Sequence, residues 1–404
     1  MKVEVAICTG ILYDLFMIKR DIEEKLMRLS KKYPVLTITG PRQSGKTTLC
    51  KKIFKNKKYV SLEELDNRDF AMNDPRGFLK QFGNNVIIDE IQRVPHLLSY
   101  IQSIVDEKKN SGFVLTGSAQ FELMNEISQS LAGRSLVVKL LPFSLKEVKR
   151  KYKKRIDPFE IIIKGFYPRV YDKNLDPSSF YSSYVSTYIE RDLRMLINIK
   201  DLSVFQKFLK ICAGRTGNVL NLISISNDIG VSHTTVKKWI SILEASYIIF
   251  LLPPYSANIN KRIIKSPKLY FYDVGLASYL LGIENKKQVI RDPMRGFLFE
   301  NLVISEFIKY RYNNLKSSNL YFYRDSHNIE VDLIYENGSE LTPVEIKSGE
   351  TISSDYFYNL KEFKKIFSKK VRSLALVYAG EKNQFRTDTD IFSFNSINSL
   401  IDRL

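Results

Sequence analysis

The 404 residues carry 62 lysines and arginines against 44 aspartates and glutamates, a net charge of +18, in a chain that is 44% hydrophobic and 26% charged. Such a length predicts two to four domains, the composition excludes an intrinsically disordered chain, and no run nears the ~20 apolar residues of a membrane span. The positive surplus favours a polyanionic partner, nucleic acid ahead of an anionic membrane surface.

Residues 1–16 hold Glu4 and Asp14 among mildly apolar positions and lack a cleavage site. They read as an N-terminal extension, or a misassigned start, rather than a signal peptide. Cys8, Cys50 and Cys212 stand far apart with no ligand spacing, which argues against a zinc site and predicts a reducing, cytoplasmic setting.

From Lys19 the spacing of Ile22, Leu26 and Leu29 predicts an amphipathic helix ending near Tyr33. A short apolar strand follows, Val35 to Ile38, and stops at Gly40. Gly40, Pro41, Arg42, Gln43, Ser44, Gly45, Lys46, Thr47 and Thr48 then form a G-x-x-x-x-G-K-T run that opens a helix. Strand, glycine loop and helix in that order predict a phosphate-binding loop. The glycines permit backbone angles that turn several N–H groups toward phosphates, and the helix adds its positive dipole end. Lys46 is placed to reach the outer phosphates of ATP, and the Thr47 hydroxyl to ligate Mg2+.

Tyr59 to Leu62 reads as a second strand. Glu63 to Phe82 reads as helical, with a fresh start at Asp74-Pro75. The buried-strand run Val86 to Ile88 ends in Asp89 and Glu90, and acids so placed are costly without a task. Asp89 is expected to hold the magnesium beside Thr47, and Glu90 to orient or deprotonate the attacking water. A strand from Phe113 to Thr116 puts Thr116 and Ser118 where the terminal phosphate would be sensed. Arg134, after a small flexible tripeptide, is a candidate for stabilising transition-state charge in its own subunit or in a neighbour within a homo-oligomer. A plain surface arginine is the competing reading.

This alternation predicts a three-layer α/β ATPase core over residues 17–145, with nucleotide at the carboxyl ends of a parallel sheet. Residues 146–200 turn helical and basic, through Lys149, Arg150, Lys151, Lys153, Lys154 and Arg155, and read as a lid. Farther on, Glu190 and Arg194 form an i, i+4 pair. Within 201–285, helices at Ile223–Ile229 and His233–Ala245 flank a Gly230 turn and precede two strand-like runs, the pattern of a winged helix. Ser232, His233, Thr234, Thr235, Lys237 and Lys238 would face nucleic acid, DNA before RNA, helped by Lys261, Arg262, Lys265 and Lys268.

Residues 286–404 read as α-β-β-β-α-β. Asp332 lies in the second strand, with Glu345 and Lys347 on one face of the third. That is the constellation of a metal-dependent phosphodiesterase. Glu300, Asp332 and Glu345 would ligate a second Mg2+ or Mn2+, and Lys347 would activate water.

With these motifs in place, the chain from Met17 onward resembles the prokaryotic AAA-superfamily ATPases that carry a C-terminal domain of unknown function with a restriction-endonuclease-like end. The matching runs include T-G-P-R-Q-S-G-K-T-T-L, I-I-D-E-I-Q-R-V-P, L-T-G-S-A-Q-F, S-L-A-G-R, Y-I-E-R-D-L-R, K-S-P-K-L-Y-F-Y-D-V-G-L-A, G-F-L-F-E-N and V-E-I-K-S-G. The resemblance implies ATP binding through Gly40 to Thr48, with Asp89 and Glu90 as the acidic pair. It implies no physiological role. Two departures stand out: residues 1–16 match nothing in the family, and Val331-Asp332 replaces the Pro-Asp after which such nuclease motifs are named. The expected function is an ATPase coupled to nucleic-acid binding with a metal-dependent nuclease core. The alternative is a nucleotide-switched regulator or defence sensor whose nuclease-like domain only binds.

Overall fold

The computed structural model describes residues 17–107, 112–118, 130–193, 201–256 and 266–404. Residues 1–16, Arg194 and the basic trio Lys261, Arg262 and Lys265 lie outside the described residues.

Apolar runs without polar alternation must be covered on both faces, and β1 (Val35–Thr39) is buried at all five positions. It lies inside a sheet with β2 (Lys58–Ser61), β3 (Val86–Asp89), β4 (Phe113–Gly117) and β5 (Ser135–Lys139), in the order β2-β3-β4-β1-β5. All four pairings are parallel. The register aligns Thr39 with Gly117 and Lys139, and Ser61 with Asp89, so the carboxyl ends of β1, β3 and β4 share one rim. One face of the sheet packs on Leu26, Leu49 and Cys50, and the other on Phe78, Leu97 and Ile101. The expected break at Asp74-Pro75 is a helix start: the Asp74 carboxylate accepts the Gly77 N–H at 2.8 Å, with Pro75 at the first helical position.

Beyond the sheet, four helices begin at capped or proline-led positions: Leu145–Tyr152, Pro158–Lys164, Pro168–Asp172 and Pro177–Tyr184. The last runs on in wider π-helical turns through Val185–Leu193. Helices Leu202–Gly214, Leu222–Ile229 and His233–Ala245 follow, then β6 (Ile249–Leu252) and β7 (Lys268–Phe271) as an antiparallel pair.

The C-terminal part opens on the 19-residue helix Arg295–Asn313. Then come β8 (Leu320–Arg324), β9 (Glu330–Asn337), β10 (Glu340–Lys347), helix Tyr358–Phe367, β11 (Ala375–Tyr378), β12 (Gln384–Phe385) and β13 (Asp390–Ser393). The sheet order is β12-β13-β11-β10-β9-β8. Strands β8 to β10 form an antiparallel meander, and β11 joins β10 in parallel after the helix.

One apolar core runs from Leu141 and Phe166 through Phe208, Trp239 and Phe271 to Phe307 and Ile401. Among the described residues this core spans the boundaries expected near 200 and 285, with helix Arg295–Asn313 packed on the preceding segments. The basic run after residue 148 is largely tied down. Lys149 donates to the Asn395 carbonyl at 2.6 Å, Arg150 pairs with Asp21, and Arg155 pairs with Glu381.

Candidate nucleotide site and a second carboxylate cluster

The loop after β1 needs its glycines. Gly40 has φ +150°, and a Cβ there would sit 2.1 Å from the Leu140 carbonyl oxygen. Gly45 has φ +90° just before helix Lys46–Ile53. With Gln43 also at positive φ, the loop curls around the helix start. Lys46 is 5% exposed and donates to the carbonyls of Gly40 at 3.0 Å and Pro41 at 2.8 Å. Burial pushes its ammonium down to about 8, while Glu90 and Asp89 pull the other way. The buried Ser44 Oγ has no hydrogen-bond partner.

Asp89, at the end of β3, accepts hydrogen bonds from Thr47 Oγ1 at 2.9 Å, from Tyr59 OH at 2.8 Å and from Thr116 Oγ1. Three hydroxyls from three elements therefore converge on one carboxylate beside a buried lysine. Glu90 adopts the left-handed conformation, φ 58°, and accepts from Gln92 Nε2, which also lies 3.1 Å from Ser118 Oγ. The Gln92 Oε1 atom is buried without a partner. Thus Thr116 and Ser118 both reach the acidic pair, one directly and one through Gln92.

Sequence reasoning missed Tyr59 and Gln92. It also missed Arg20, whose guanidinium, 5% exposed, donates to the Ser44 carbonyl at 3.0 Å and to Glu147 at 3.1 Å, tying the loop to helix Leu145–Tyr152. Arg42, Gln43, Lys46, Thr47, Thr48 and Glu90 line a cleft of about 420 Å³ with Arg169 and Lys173 on the far wall. Thr47 and Asp89 fit a magnesium ion. Their oxygens are adjacent, and Asp89 is met by hydroxyls that can turn their protons away.

Arg134 is not in this cleft. It precedes Ser135, which pairs with Val35, the first residue of β1, so it sits at the opposite rim, roughly 16 Å away along the strand. There it forms a two-point contact with Asp106 at 2.5 and 2.9 Å. A role on its own subunit's nucleotide is excluded by that placement.

Helix His233–Ala245 buries Val236, Trp239, Ile240 and Leu243 and leaves His233, Thr234, Lys237 and Lys238 exposed. Ser232 is its N-cap, accepting the Thr235 N–H at 3.1 Å and contacting the Thr234 and Thr235 hydroxyls at 2.8 Å. Thr235 is half-buried.

The C-terminal residues also come together. Asp332 is 8% and Glu345 2% exposed. Lys347 Nζ lies 2.6 Å from Glu345 Oε1 and 3.7 Å from Asp332 Oδ2, which also accepts the Ile346 N–H at 2.8 Å. Burial raises Glu345 to about 8, with Asp332 adding and Lys347 opposing. Burial raises Glu300 to about 7, with Lys268 opposing. The expected ligand set of Glu300, Asp332 and Glu345 does not fit a metal ion. Among the described residues no three His, Cys, Asp or Glu side chains are grouped to hold one. Glu300 is engaged instead by Lys268 at 3.3 Å and by the Tyr270 hydroxyl.

The cysteines Cys50 and Cys212 are buried and free, their thiols pushed up by burial. No described helix is long and apolar enough to cross a membrane.

Three family models match successive parts of the chain: an AAA domain over residues 32–149, a domain of unknown function (DUF8612) over 156–287, and a domain of unknown function (DUF4143) over 295–399. An uncharacterized protein of Mycobacterium tuberculosis is 28% identical over 96% of this chain and 86% of its own length. One from Methanocaldococcus jannaschii is 28% identical over 83% of this chain and 79% of its own length. Among solved structures, the Walker-type ATPase of Pyrococcus abyssi aligns at 14% identity and a TM-score of 0.41, covering 65% of this chain and 96% of that one.

Proposed function

Because the chain is an AAA-superfamily protein with a C-terminal domain of unknown function, we propose that it binds and hydrolyses ATP with Mg2+ and couples that cycle to binding of nucleic acid. The observation that carries the reading is the Asp89 carboxylate, set at the rim of the sheet beside Lys46 and accepting the Thr47 hydroxyl at 2.9 Å. In this reading Lys46 leaves the Gly40 and Pro41 carbonyls for the outer phosphates, and the backbone N–H groups of the loop hold the inner ones. Thr47 and Asp89 would hold magnesium, which would supply charge neutralisation at the phosphates. Glu90 positions the attacking water, and Gln92 links it to Ser118.

The nucleic-acid partner is read from the net charge of +18 and from the exposed His233, Thr234, Lys237 and Lys238 on a helix followed by an antiparallel hairpin, a winged-helix arrangement. Ser232 serves this helix as its cap. The C-terminal sheet is read as restriction-endonuclease-like in architecture, and here as a binding module rather than a cutting one.

An ATPase assay with and without duplex DNA tests the proposal. Wild type is expected to hydrolyse ATP faster with DNA, and Lys46→Ala to hydrolyse in neither condition. A Lys237→Ala/Lys238→Ala chain should lose the stimulation and reduce the salt slope of DNA binding by about 2. Hydrolysis by wild type that DNA does not stimulate, or DNA affinity left unchanged in the double variant, would contradict the coupling.

A further inference from the structure

Strand β7 belongs to the part of the chain before the C-terminal domain, yet its polar groups are committed to that domain. Lys268 is 3% exposed, with Nζ 2.6 Å from Glu330 Oε1 and 3.3 Å from Glu300 Oε1. Tyr270 is two residues on and so faces the same side. It donates to the Glu300 oxygen that Lys268 meets. The neighbouring Asn301 side chain takes both backbone groups of Phe271, accepting its N–H at 2.7 Å and donating to its carbonyl at 2.8 Å. Consecutive residues of the run G-F-L-F-E-N therefore both grip β7.

We propose that Lys268 is a built-in cation that holds Glu300 and so withholds it from a divalent metal, and that Lys268, Tyr270, Glu300 and Asn301 form a latch between β7 and the helix Arg295–Asn313. The charges are consistent with this. Four carboxylates, Glu300, Glu330, Asp332 and Glu345, face Lys268 and Lys347, with Arg324 3.5 Å from Glu330. Burial alone would lower the Lys268 ammonium, but Glu300, Asp332 and Glu330 reverse this and hold it above its ordinary value. For a divalent ion to gather Glu300 beside Asp332 and Glu345, Glu300 would have to give up its Lys268 and Tyr270 hydrogen bonds and leave the buried ammonium without that partner. The inference is independent of the nucleotide reading.

Titration with Mn2+, followed by the EPR signal of free Mn2+, tests it on nucleotide-free full-length chain carrying Asp89→Asn to silence the other site. With Lys268 present, Glu345-dependent binding should be absent. Lys268→Met should gain one Mn2+ per chain at least about ten-fold more tightly, Lys268→Arg should not, and adding Glu345→Gln to Lys268→Met should abolish the gain. No gain in Lys268→Met overturns the proposal. So does Mn2+ binding by the Lys268-containing chain that Glu345→Gln removes, a comparison that remains decisive if Lys268→Met does not fold.

Discussion

The two acidic sites of this chain use similar residues and neutralise them differently. At the rim of the first sheet, Asp89 is met by hydroxyls from Thr47, Tyr59 and Thr116, while Lys46 turns to the loop carbonyls. The carboxylate is oriented by neutral hydroxyls and makes no ion pair among the described residues. In the second sheet, Lys347 pairs with Glu345 and Lys268 with Glu300 and Glu330. At the first site the donors are neutral hydroxyls, whereas at the second they include the ammonium groups of Lys268 and Lys347. Strand position and residue type alone do not separate these outcomes.

The sharpest way to break the comparison is to remove the internal cation. Lys268→Met leaves the buried Glu300 without its ammonium partner and should cost about 3–5 kcal/mol of stability, read from urea unfolding. Adding Glu300→Gln should recover part of that loss; full additivity would mean that the two side chains do not interact. At the first site, Lys46→Ala removes phosphate contacts and should lower kcat by roughly 100–1000-fold, with the fold unchanged by circular dichroism.

The proton balance gives a third test. Glu345 titrates at about 8 in the fold, above its ordinary 4.5. The native state therefore holds a proton that the unfolded chain has released over that range. This contribution to stability is fully present below about 4.5 and is lost as pH rises through about 8. Wild-type stability should thus fall between pH 5 and 8, by no more than about 1.4 kcal/mol per unit from this group, and Glu345→Gln should flatten the profile. The smallest effect is expected from Tyr59→Phe, which deletes one hydroxyl from Asp89 and should weaken Mg-ATP binding by about 1 kcal/mol, measured by calorimetry.

Much of the first site was legible in the sequence because backbone strain and burial cost leave local marks. Gly40 and Gly45 stand where a side chain would strain the loop, and acids at the end of an all-apolar strand are costly unless a cation or a proton donor meets them. Helix His233–Ala245 was legible through the Gly230 turn before it and the apolar spacing along it, while Ser232, expected to face nucleic acid, is its N-cap. Tyr59 and Gln92 were not, because a tyrosine in a strand and a glutamine after it signal only packing and solvation. The position of β4 between β1 and β3 was equally hidden, since alternation of strands and helices does not order a sheet. Lys268 read as part of a basic surface run. Its partners belong to helix Arg295–Asn313 and to β9, and only tertiary folding brings them to it. The basic residues Lys149 and Arg155 misled in the same way, being tied to Asn395 and Glu381 near the far end of the chain.

The most direct test of the difference between the sites is the number of Mn2+ ions bound per chain in the presence of a non-hydrolysable ATP analogue. One ion per chain is expected, lost in Asp89→Asn and unaffected by Glu345→Gln. Two ions per chain, or a single ion that survives Asp89→Asn and disappears in Glu345→Gln, would contradict the account.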